Sequence, residues 1–548
     1  MRVSEVVGRV LAGHGARYVF GVVGSGNFHV TNALVAAGAR FVPAAHEGGA
    51  ASMADAFART SGTVGILSVH QGPGLTNALT GITEAAKSRT PMLVLAPEAT
   101  APRSNFFLDL PALAASVGAE FLRVRATHAA EDTGTAFRAA ARGATVLLGL
   151  PLEAQNASTE PWSGRIVPAP PAGPPVEPEV ASLVAALRAA RRPVFIAGRG
   201  ARTAREPLVR LADACGALLA VSAAAKGLFV GDPWNLDVAG GFATPLATSL
   251  IGEADLVVAW GSTLNMWTTR HGELIPPGAV VAQVDRDPAA FGVNRPVDLT
   301  VAGEVATVAR AVLAGLAGQP VSDPPTGGWR TPELGRRIER EGRWQSVSYV
   351  DGGRTEQPAT IDPRTLSIAL DDLLPAERTV VVDSGNFMGY PSMFLDVPDV
   401  AGFCFTQAFQ SIGLGLASAL GAAVARPDRL TVAALGDGGF LMSAAELVTA
   451  ARLALPLVVV VYDDAAYGAE VHHFGPDGYP LDTVTFPQTD LAAIARGYGC
   501  AGVTVRGVED LDPVRDWLAG SRSRPMVVDA KVSGERGSWW LEEAFRGH

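Results

Sequence analysis

Two stretches of this 548-residue chain decide its fold: A-A-L-G-D-G-G-F-L-M-S-A-A-E-L at 433–447 and L-P-L-V-V-V-V-Y-D-D-A-A-Y-G at 455–468. Each contains an apolar strand, which ends at Asp437 between glycines in the first stretch and at two consecutive acids in the second. A helix that begins at about Ser443 is predicted to join the strands. Because parallel strands joined by a helix bring their carboxyl ends side by side, we expect these acids to face one crevice.

The residue types in these stretches suit a phosphate and a metal ion. Glycine lets backbone N–H groups approach a phosphate closely, and the start of a helix favours anions. Asp437 and Asp464, which are 27 residues apart, supply the carboxylate oxygens that Mg2+ prefers. From the residues alone, an ordinary strand–turn–helix with acidic caps is the alternative.

Composition places the chain among globular proteins of about three domains. Hydrophobic residues make up 48% and charged residues 18%, and the net charge is −10. The acidic balance, without a basic stripe, argues against a nucleic-acid partner. The cysteines at 215, 404 and 500 form no C-x-x-C and predict a cytoplasmic location. No apolar run is long enough for a membrane helix, and the first residues predict a helix and not a signal peptide.

Short apolar strands alternate with helical patterns along the chain. This alternation predicts an α/β protein with three doubly wound parallel-sheet domains. We place the first domain at 1–160, the central domain at 179–320 and the third at 363–548. The Pro-rich segment 161–178 and the polar segment 321–362 are the predicted linkers.

The G-D-G motif and the acidic pair at 463–464 resemble the signature of thiamine-diphosphate (ThDP) enzymes, in which the pair is usually Asn-Asn. Segments 42–59, 68–95 and 406–423 resemble other parts of the same family, closest to its acetolactate synthase and benzoylformate decarboxylase branch. The resemblance implies a pyrimidine-binding first domain, a central domain and a diphosphate-binding third domain. It also implies a homodimer or homotetramer whose active sites lie at the subunit interface.

The resemblance assigns the cofactor contacts residue by residue. The implied Mg2+ ligands are Asp437, Asp464 and the backbone carbonyl of Ala466. Ile412 matches the bulky residue that bends the cofactor, although plain core packing is its alternative. The implied ThDP contacts are Glu47, Gly436, Asp437, Gly438, Gly439, Ile412, Asn386, Asp464, Ala466, Tyr467 and Gly468. The change from Asn-Asn to Asp-Asp adds negative charge beside the diphosphate.

Glu47 is the main catalytic candidate. It lies between His46 and two glycines that we expect to precede a helix. A carboxyl group in an apolar crevice tends toward a raised pKa, which suits proton exchange. The resemblance implies that Glu47 donates a hydrogen bond to the cofactor's pyrimidine ring. The alternative is an acidic residue that stabilises a helix N-terminus.

Four further side chains are candidates for catalysis: Ser25, His70, Gln71 and Glu470. A histidine of near-neutral pKa can deliver a proton or hold a substrate carboxylate. Ser25 and His70 resemble benzoylformate decarboxylase, and Glu470 resembles pyruvate decarboxylase. The alternatives are a histidine that caps a helix or bonds to a backbone carbonyl, and a solvated glutamate.

Other polar features give weaker signals. His271 resembles a second decarboxylase histidine, but only if a gap is allowed. His472 and His473 are adjacent, so at most one of them faces the substrate. The turn G-R-G-A-R-T at 198–203 follows a strand in the domain where some family members bind FAD. One glycine turn leaves FAD possible but not supported.

Together these observations predict a ThDP- and Mg2+-dependent enzyme that acts on a small-molecule 2-oxo acid. The expected reaction is decarboxylation with C–C bond formation, as in an acetolactate synthase-like carboligase. One alternative is a 2-oxo acid decarboxylase that forms no new C–C bond. An alternative of another class is a catalytically degenerate homologue that serves as a binding or regulatory subunit. The donor and acceptor compounds stay open.

Overall fold

The computed structural model describes residues 1–166, 173–317, 329–356 and 358–545. These residues form three six-stranded sheets, and every strand pair in them is parallel. The predicted α/β class with three parallel sheets is therefore confirmed.

The strands of the first sheet are β1 Tyr18–Gly21, β2 Arg40–Pro43, β3 Gly65–Ser68, β4 Met92–Glu98, β5 Glu120–Arg123 and β6 Thr145–Pro151. Those of the second sheet are β7 Pro193–Ala197, β8 Leu218–Val221, β9 Asn235–Val238, β10 Leu256–Trp260, β11 Val280–Asp285 and β12 Leu299–Ala302. Those of the third sheet are β13 Arg378–Val382, β14 Phe403–Phe405, β15 Leu430–Gly436, β16 Leu457–Asp463, β17 Ala501–Val505 and β18 Met526–Lys531. The spatial orders are β2-β1-β3-β4-β6-β5, β12-β11-β10-β7-β8-β9 and β14-β13-β15-β16-β18-β17, so the first and third sheets share one topology.

The helices in the first third of the chain are α1 Val3–Gly13, α2 Phe28–Ala36, α3 Glu47–Ser61, α4 Pro73–Asn77, α5 Leu79–Lys87, α6 Leu110–Val117, α7 Ala129–Ala141 and α8 Leu152–Gln155. The next are α9 Glu177–Ala189, α10 Arg205–Cys215, α11 Pro245–Ile251, α12 Met266–Thr269, α13 Val305–Ala317 and α14 Pro332–Glu341. The last are α15 Pro363–Leu373, α16 Gly389–Phe394, α17 Gly415–Ala425, α18 Asp437–Ser443, α19 Leu447–Leu453, α20 Gly468–Phe474, α21 Leu491–Gly497, α22 Asp512–Ala519 and α23 Trp539–Phe545. Among the described helices, none combines the length and apolarity that crossing a membrane requires.

The strands β4, β10 and β16, which lie inside their sheets, are buried along their whole length, as expected of largely apolar strands in parallel sheets that are covered on both faces. Successive residues of a strand point to opposite faces, so neighbouring valines enter different cores. In β13, Val380 and Val382 belong to the core that includes Phe195 of the second sheet, and Val381 belongs to the core that includes Phe20 of the first. The third sheet therefore lies between the first and the second.

Helices α3 and α17 join the first and third sheets inside their shared core. A Cβ atom built on Gly421 of α17 would collide with the backbone carbonyl oxygen of Met53 in α3. The missing side chain lets the two helix backbones approach closely, which fixes the spacing between the sheets.

Two helices begin earlier than the sequence predicts. Helix α3 begins at Glu47, so the two glycines lie inside its first turn, where His46 Nδ1 accepts a hydrogen bond from Gly48 N at 3.0 Å. Helix α18 begins at Asp437 and ends at Ser443, the residue at which a helix start was expected. Glycine weakens helices in isolation, but the cap and the surrounding core outweigh that propensity here.

Parts of both predicted linkers lie outside the described residues: 167–172 of the linker 161–178, and 321–328 and 357 of the linker 321–362. Helix α14 lies in the second linker, and the side chain of Thr331 caps its first turn. The domain limits stay predictions.

Candidate active site

Asp437 and Asp464 lie at the carboxyl ends of adjacent parallel strands. Gly436 at the end of β15 pairs with Tyr462 in β16, so each acid follows its strand at nearly the same level. Burial raises the pKa of Asp437 to about 8, with further contributions from the negative charges of Asp464 and Asp463. Burial, followed by the charge of Asp463, raises the pKa of Asp464 to about 7. Two crowded carboxyl groups shielded from water favour a bound cation between them.

The loop after Asp464 leaves a backbone carbonyl for a third ligand. Ala465 adopts a left-handed conformation with φ of 55°, which turns the chain directly after the acid. Ala465 O accepts a hydrogen bond from Phe486 N at 2.7 Å, and Tyr467 N donates to Val484 O at 2.8 Å. These two bonds do not involve the carbonyl of Ala466, the third predicted Mg2+ ligand. Carboxylate and carbonyl oxygens form the donor set that suits Mg2+.

A cavity of about 490 Å³ opens over this pair of acids. It brings together all of the predicted contacts from the third domain: Asn386, Ile412, Gly436, Asp437, Gly438, Gly439, Asp464, Ala466, Tyr467 and Gly468. Glu470, on helix α20, also lines it. Sequence reasoning missed other lining residues, namely Trp267, Ser384, Gln407, Gln410, Met442 and Leu541.

The glycines of the cavity admit close contacts that a side chain would block. A Cβ atom on Gly438 would lie 2.5 Å from the ring of Tyr467, and one on Gly468 would collide with Asp464 Oδ2. A Cβ atom on Gly439 would lie 2.6 Å from Asp383 Oδ2. Glycine at these three positions of the cavity lining therefore leaves the backbone uncovered by side chains beside the acids, and uncovered backbone can approach a diphosphate.

Asp383 is a buried residue that sequence reasoning did not single out. Its carboxylate accepts hydrogen bonds from Ser384 N at 2.9 Å, Gly413 N at 2.8 Å and Leu414 N at 3.2 Å. Burial raises its pKa to about 7, and these N–H groups counteract the shift. Asp383 thereby fixes the loop that carries Ile412. Its place at the start of D-S-G-N, directly after a strand, was the available signal.

Lys531 is an ion-pair partner of Asp463, which it shares with a second buried acid, Asp529. Its ammonium group donates to Asp463 Oδ2 and to Thr489 O, the latter at 2.7 Å, and lies 2.9 Å from Asp529 Oδ1. Strands β16 and β18 pair Asp463 with Lys531, and both side chains are buried. The negative charge that Asp brings to position 463 is therefore paired within the protein, while Asp464 lines the cavity.

Glu47 lies at the carboxyl end of the first sheet. Its Oε2 atom accepts a hydrogen bond from Asn77 Nδ2 at 3.1 Å. A Cβ atom on Gly74 would lie 3.3 Å from its other oxygen, so glycine leaves room beside the carboxylate. Glu47 is partly exposed and is held by helix α4 from one side.

Ser25, His70 and Gln71 gather near Glu47, in loops that follow the adjacent strands β1 and β3. Gly26 N donates a hydrogen bond to His70 Nδ1 at 3.2 Å, so the neutral imidazole carries its proton on Nε2. Gln71 is buried directly against Gly26, where a Cβ atom would overlap its Oε1. Ser25 is exposed.

Among the described residues, the cavity over Asp437 and Asp464 is lined by none of this first group. The residues that line the cavity all lie between Trp267 and Leu541, whereas the first group lies on the first sheet. The weaker candidates His271, His472 and His473 are outside the described lining as well, although burial lowers the pKa of His472.

The turn in the central domain is closely packed. Gly200 N donates to Gly261 O at 3.1 Å, and a Cβ atom on Gly198 would lie 2.7 Å from Ser262 Cα. Arg202 Nη2 donates to the backbone oxygens of Arg59 at 3.0 Å and of Val400 at 2.9 Å. Packing between the ends of β7 and β10 accounts for both glycines without a bound flavin.

Three models of thiamine pyrophosphate enzymes match the chain. The N-terminal TPP binding domain matches residues 1–113, the central domain residues 180–312, and the C-terminal TPP binding domain residues 383–530. The chain belongs to this family. Thiamine pyrophosphate is another name for ThDP, so most strands of the first and third sheets lie in segments that match TPP binding domains, and the predicted family is confirmed.

Named relatives align with nearly the whole chain. A sulfoacetaldehyde acetyltransferase of Rhodobacter capsulatus is 28% identical, and the alignment covers 100% of this chain and 96% of the relative. A probable 2-ketoarginine decarboxylase of Pseudomonas aeruginosa is 29% identical, with 94% of this chain and 91% of the relative covered. An acetolactate synthase large subunit of Parasynechococcus marenigrum is 28% identical, over 95% of this chain and 85% of the relative. Membership in this family, together with these relatives, supports the conclusion that the chain is an enzyme.

Proposed function

We propose that this protein is a ThDP- and Mg2+-dependent enzyme that decarboxylates a 2-oxo acid and joins the remaining fragment to a second carbonyl compound. One observation carries the proposal: Asp437 and Asp464 are crowded and buried at adjacent strand ends, beside glycine backbone that side chains leave uncovered. A metal ion there would neutralise the acids and bridge them to a diphosphate.

Different residues of the cavity would bind different parts of the cofactor. Asp437, Asp464 and the Ala466 carbonyl would bind Mg2+, and the backbone of Gly438 and Gly439 would face the diphosphate. Ile412 would support the ring system, held in place by the loop that Asp383 organises. Bound ThDP supplies a nucleophilic carbon and the electron sink for loss of CO2.

A second chain would complete each active site. Glu47, Ser25, His70 and Gln71 are not among the residues that line the cavity of their own chain. In the proposed homodimer or homotetramer, these side chains reach the cavity of the partner subunit. Glu47 would there donate a hydrogen bond to the pyrimidine ring and exchange a proton with it.

The fate of the decarboxylated fragment separates the proposal from its nearest alternative. Glu470 lines the cavity, and a glutamate there could deliver a proton. Together with His70, this position favours the alternative of a 2-oxo acid decarboxylase that releases an aldehyde. The relatives named as acetyltransferase and acetolactate synthase favour the carboligase.

Product analysis tests this choice. The purified protein is incubated with ThDP, Mg2+ and a panel from pyruvate to bulkier 2-oxo acids, with Asp437→Ala as the inactive control. A 2-hydroxy ketone product supports the carboligase, and free aldehyde without any ketone excludes it. A yellow protein would add FAD to the cofactors.

Lys531 weakens one part of the support for the alternative of a degenerate binding subunit. The change of the Asn-Asn pair to Asp463-Asp464 was the feature that favoured it, and of these two carboxylates Asp463 contacts Lys531. Cofactor binding without turnover of any 2-oxo acid would nevertheless identify such a subunit. A cytoplasmic location and a small-molecule substrate, without nucleic acid, remain part of the proposal.

A further inference from the structure

Glu446 connects the third domain to the loop that carries Glu47. Its Oε1 atom accepts hydrogen bonds from Ala45 N and His46 N, each at 3.1 Å, and its Oε2 atom lies 3.1 Å from Ala45 N. Thr449 Oγ1 donates to Oε2 at 2.8 Å. The side chain is 3% exposed, and burial raises its pKa. A buried carboxylate thus binds the two N–H groups that directly precede Glu47.

The start of helix α3 provides both space and N–H groups for the Glu446 carboxylate. A Cβ atom on Gly49, in the first turn of α3, would collide with Glu446 Oε1. The position at the start of α3 also suits an anion, because the N–H groups of a first turn lack helical partners. Gly49 therefore leaves the space, and the two loop N–H groups supply the hydrogen bonds, that the Glu446 carboxylate needs.

A second glutamate makes the reverse connection. Glu84 on α5, in the first domain, accepts hydrogen bonds from Ala408 N at 3.1 Å and from Phe409 N at 2.6 Å. Those residues belong to the loop that leads to Ile412. Each domain therefore holds, through one buried carboxylate, a loop of the other domain that carries a predicted cofactor contact.

The two connections are related by the shared topology of the first and third sheets. Glu84 follows β3, the third strand of its sheet in chain order, and Glu446 follows β15, the third strand of the other. The loops that receive them follow β2 and β14, the second strands. Recurrence at equivalent positions indicates that this contact belongs to the way the two domains fit together.

We infer that Glu446 is a positioning residue for Glu47. Glu446 lies nine residues after Asp437, in the 3-10 turn that follows helix α18, so a short helical stretch connects the cation site to the residue that binds the backbone before Glu47. The inference rests on the proposed function, in which Glu47 exchanges a proton with ThDP. A shift of about 1 Å in such a group costs up to about a hundredfold in rate.

The test uses Glu446→Gln in the full protein with ThDP and Mg2+. The amide keeps one acceptor oxygen but turns N–H donors toward a site where three protein donors already point. Three quantities are measured: the rate of hydrogen–deuterium exchange at thiamine C2 by NMR, the dissociation constant of ThDP by calorimetry, and the thermal unfolding midpoint. We expect exchange to slow by about tenfold or more, with ThDP affinity within about twofold of wild type.

Asp255→Asn is the matched control. The Asp255 carboxylate also accepts hydrogen bonds from two consecutive backbone N–H groups, those of Arg191 at 2.7 Å and Arg192 at 2.8 Å, but it lies in the central domain. This variant should change stability and leave the C2 exchange rate unchanged. A purely structural role for Glu446 would give both variants the same pattern.

Thr449→Val is the milder variant if Glu446→Gln does not fold. It removes the hydroxyl that donates to Glu446 Oε2 and keeps the carboxylate, so a smaller slowing of exchange is expected. Unchanged exchange in every folded variant that alters this contact overturns the inference. Absence of C2 exchange in the wild-type protein would instead contradict the proposed function, so the two failures are distinguishable.

Discussion

Asp437 and Asp464 show how burial and neighbouring charges change the acidity of single residues. Each is an acid whose pKa lies well above that of a free carboxyl group, because burial and the neighbouring carboxylates disfavour its charged form. Ionising these two acids in the folded protein therefore costs free energy, and a bound divalent cation would offset that cost. Asp463, by contrast, has its charge paired with Lys531.

The raised pKa values predict how the stability of the cation-free protein depends on pH. Between about pH 4 and pH 8, the folded protein binds more protons at Asp437 and Asp464 than the unfolded chain does, so its stability falls as pH rises. The double variant Asp437→Asn, Asp464→Asn should flatten this dependence. Thermal unfolding in EDTA at pH 5 and pH 8 measures it. Parallel pH profiles for wild type and variant would refute the assignment.

Glu47→Gln tests the main catalytic candidate. The amide keeps the hydrogen bond with Asn77 but cannot carry the exchangeable carboxyl proton. We expect turnover of the 2-oxo acid to fall by about a hundredfold or more, with the unfolding midpoint and ThDP affinity preserved. Steady-state kinetics and calorimetry provide the readouts, and unchanged turnover would exclude the role.

Residues close in sequence to a strand end were predictable, and residues joined by long-range contacts were not. Asp437 and Asp464 follow neighbouring strands, so their spacing along the chain already places them at one sheet edge. Glu446 touches a loop 400 residues away, and Lys531 touches Asp463 from a strand 68 residues later. Nothing in the local sequence around Glu446 or Lys531 reveals such partners.

At the scale of elements, the pair α3 and α17 fixes the distance between the two cofactor-binding sheets. Their backbones touch where Gly421 faces Met53 O. The starts of α3 and α18 were predicted too late, because propensity alone disfavours helices through glycine, whereas the packed core tolerates them. The strands, in contrast, follow directly from continuous apolar runs.

Gly421→Ala is predicted to destabilise the protein. Alanine gains about 1 kcal/mol in helix propensity, but its Cβ would strike a backbone carbonyl that cannot rotate away, at a cost of about 1–3 kcal/mol or more. Gly497→Ala in α21 is the control, because nothing lies within 4 Å of its Cβ position. Thermal unfolding should place the first variant below wild type and the second at or above it. The reverse order would refute the packing argument.

At the scale of the whole molecule, the cation site and Glu47 of one chain lie at the ends of two different sheets, the third and the first. The cavity lies at the third sheet, and Glu47 lies at the carboxyl end of the first. In a dimer in which the cavity of each chain faces the Glu47 region of the other, two complete sites would form, as twofold symmetry requires.

Mixing two inactive variants tests this arrangement. Glu47→Gln and Asp437→Ala each disable every site of a homodimer. In a mixed dimer, one site combines both intact residues, so random mixing restores about a quarter of the sites. Consumption of the 2-oxo acid by co-expressed chains measures the recovery. Activity no higher than that of either variant alone would contradict a shared site.

Calorimetric titration of the protein with ThDP tests the central claim most directly, that Asp437 and Asp464 hold a divalent cation against the diphosphate. The account predicts saturable binding in Mg2+, loss of binding in EDTA, and affinity at least about tenfold weaker in Asp464→Ala. Equal ThDP affinity with and without Mg2+, unchanged by Asp437→Ala and Asp464→Ala, would contradict it.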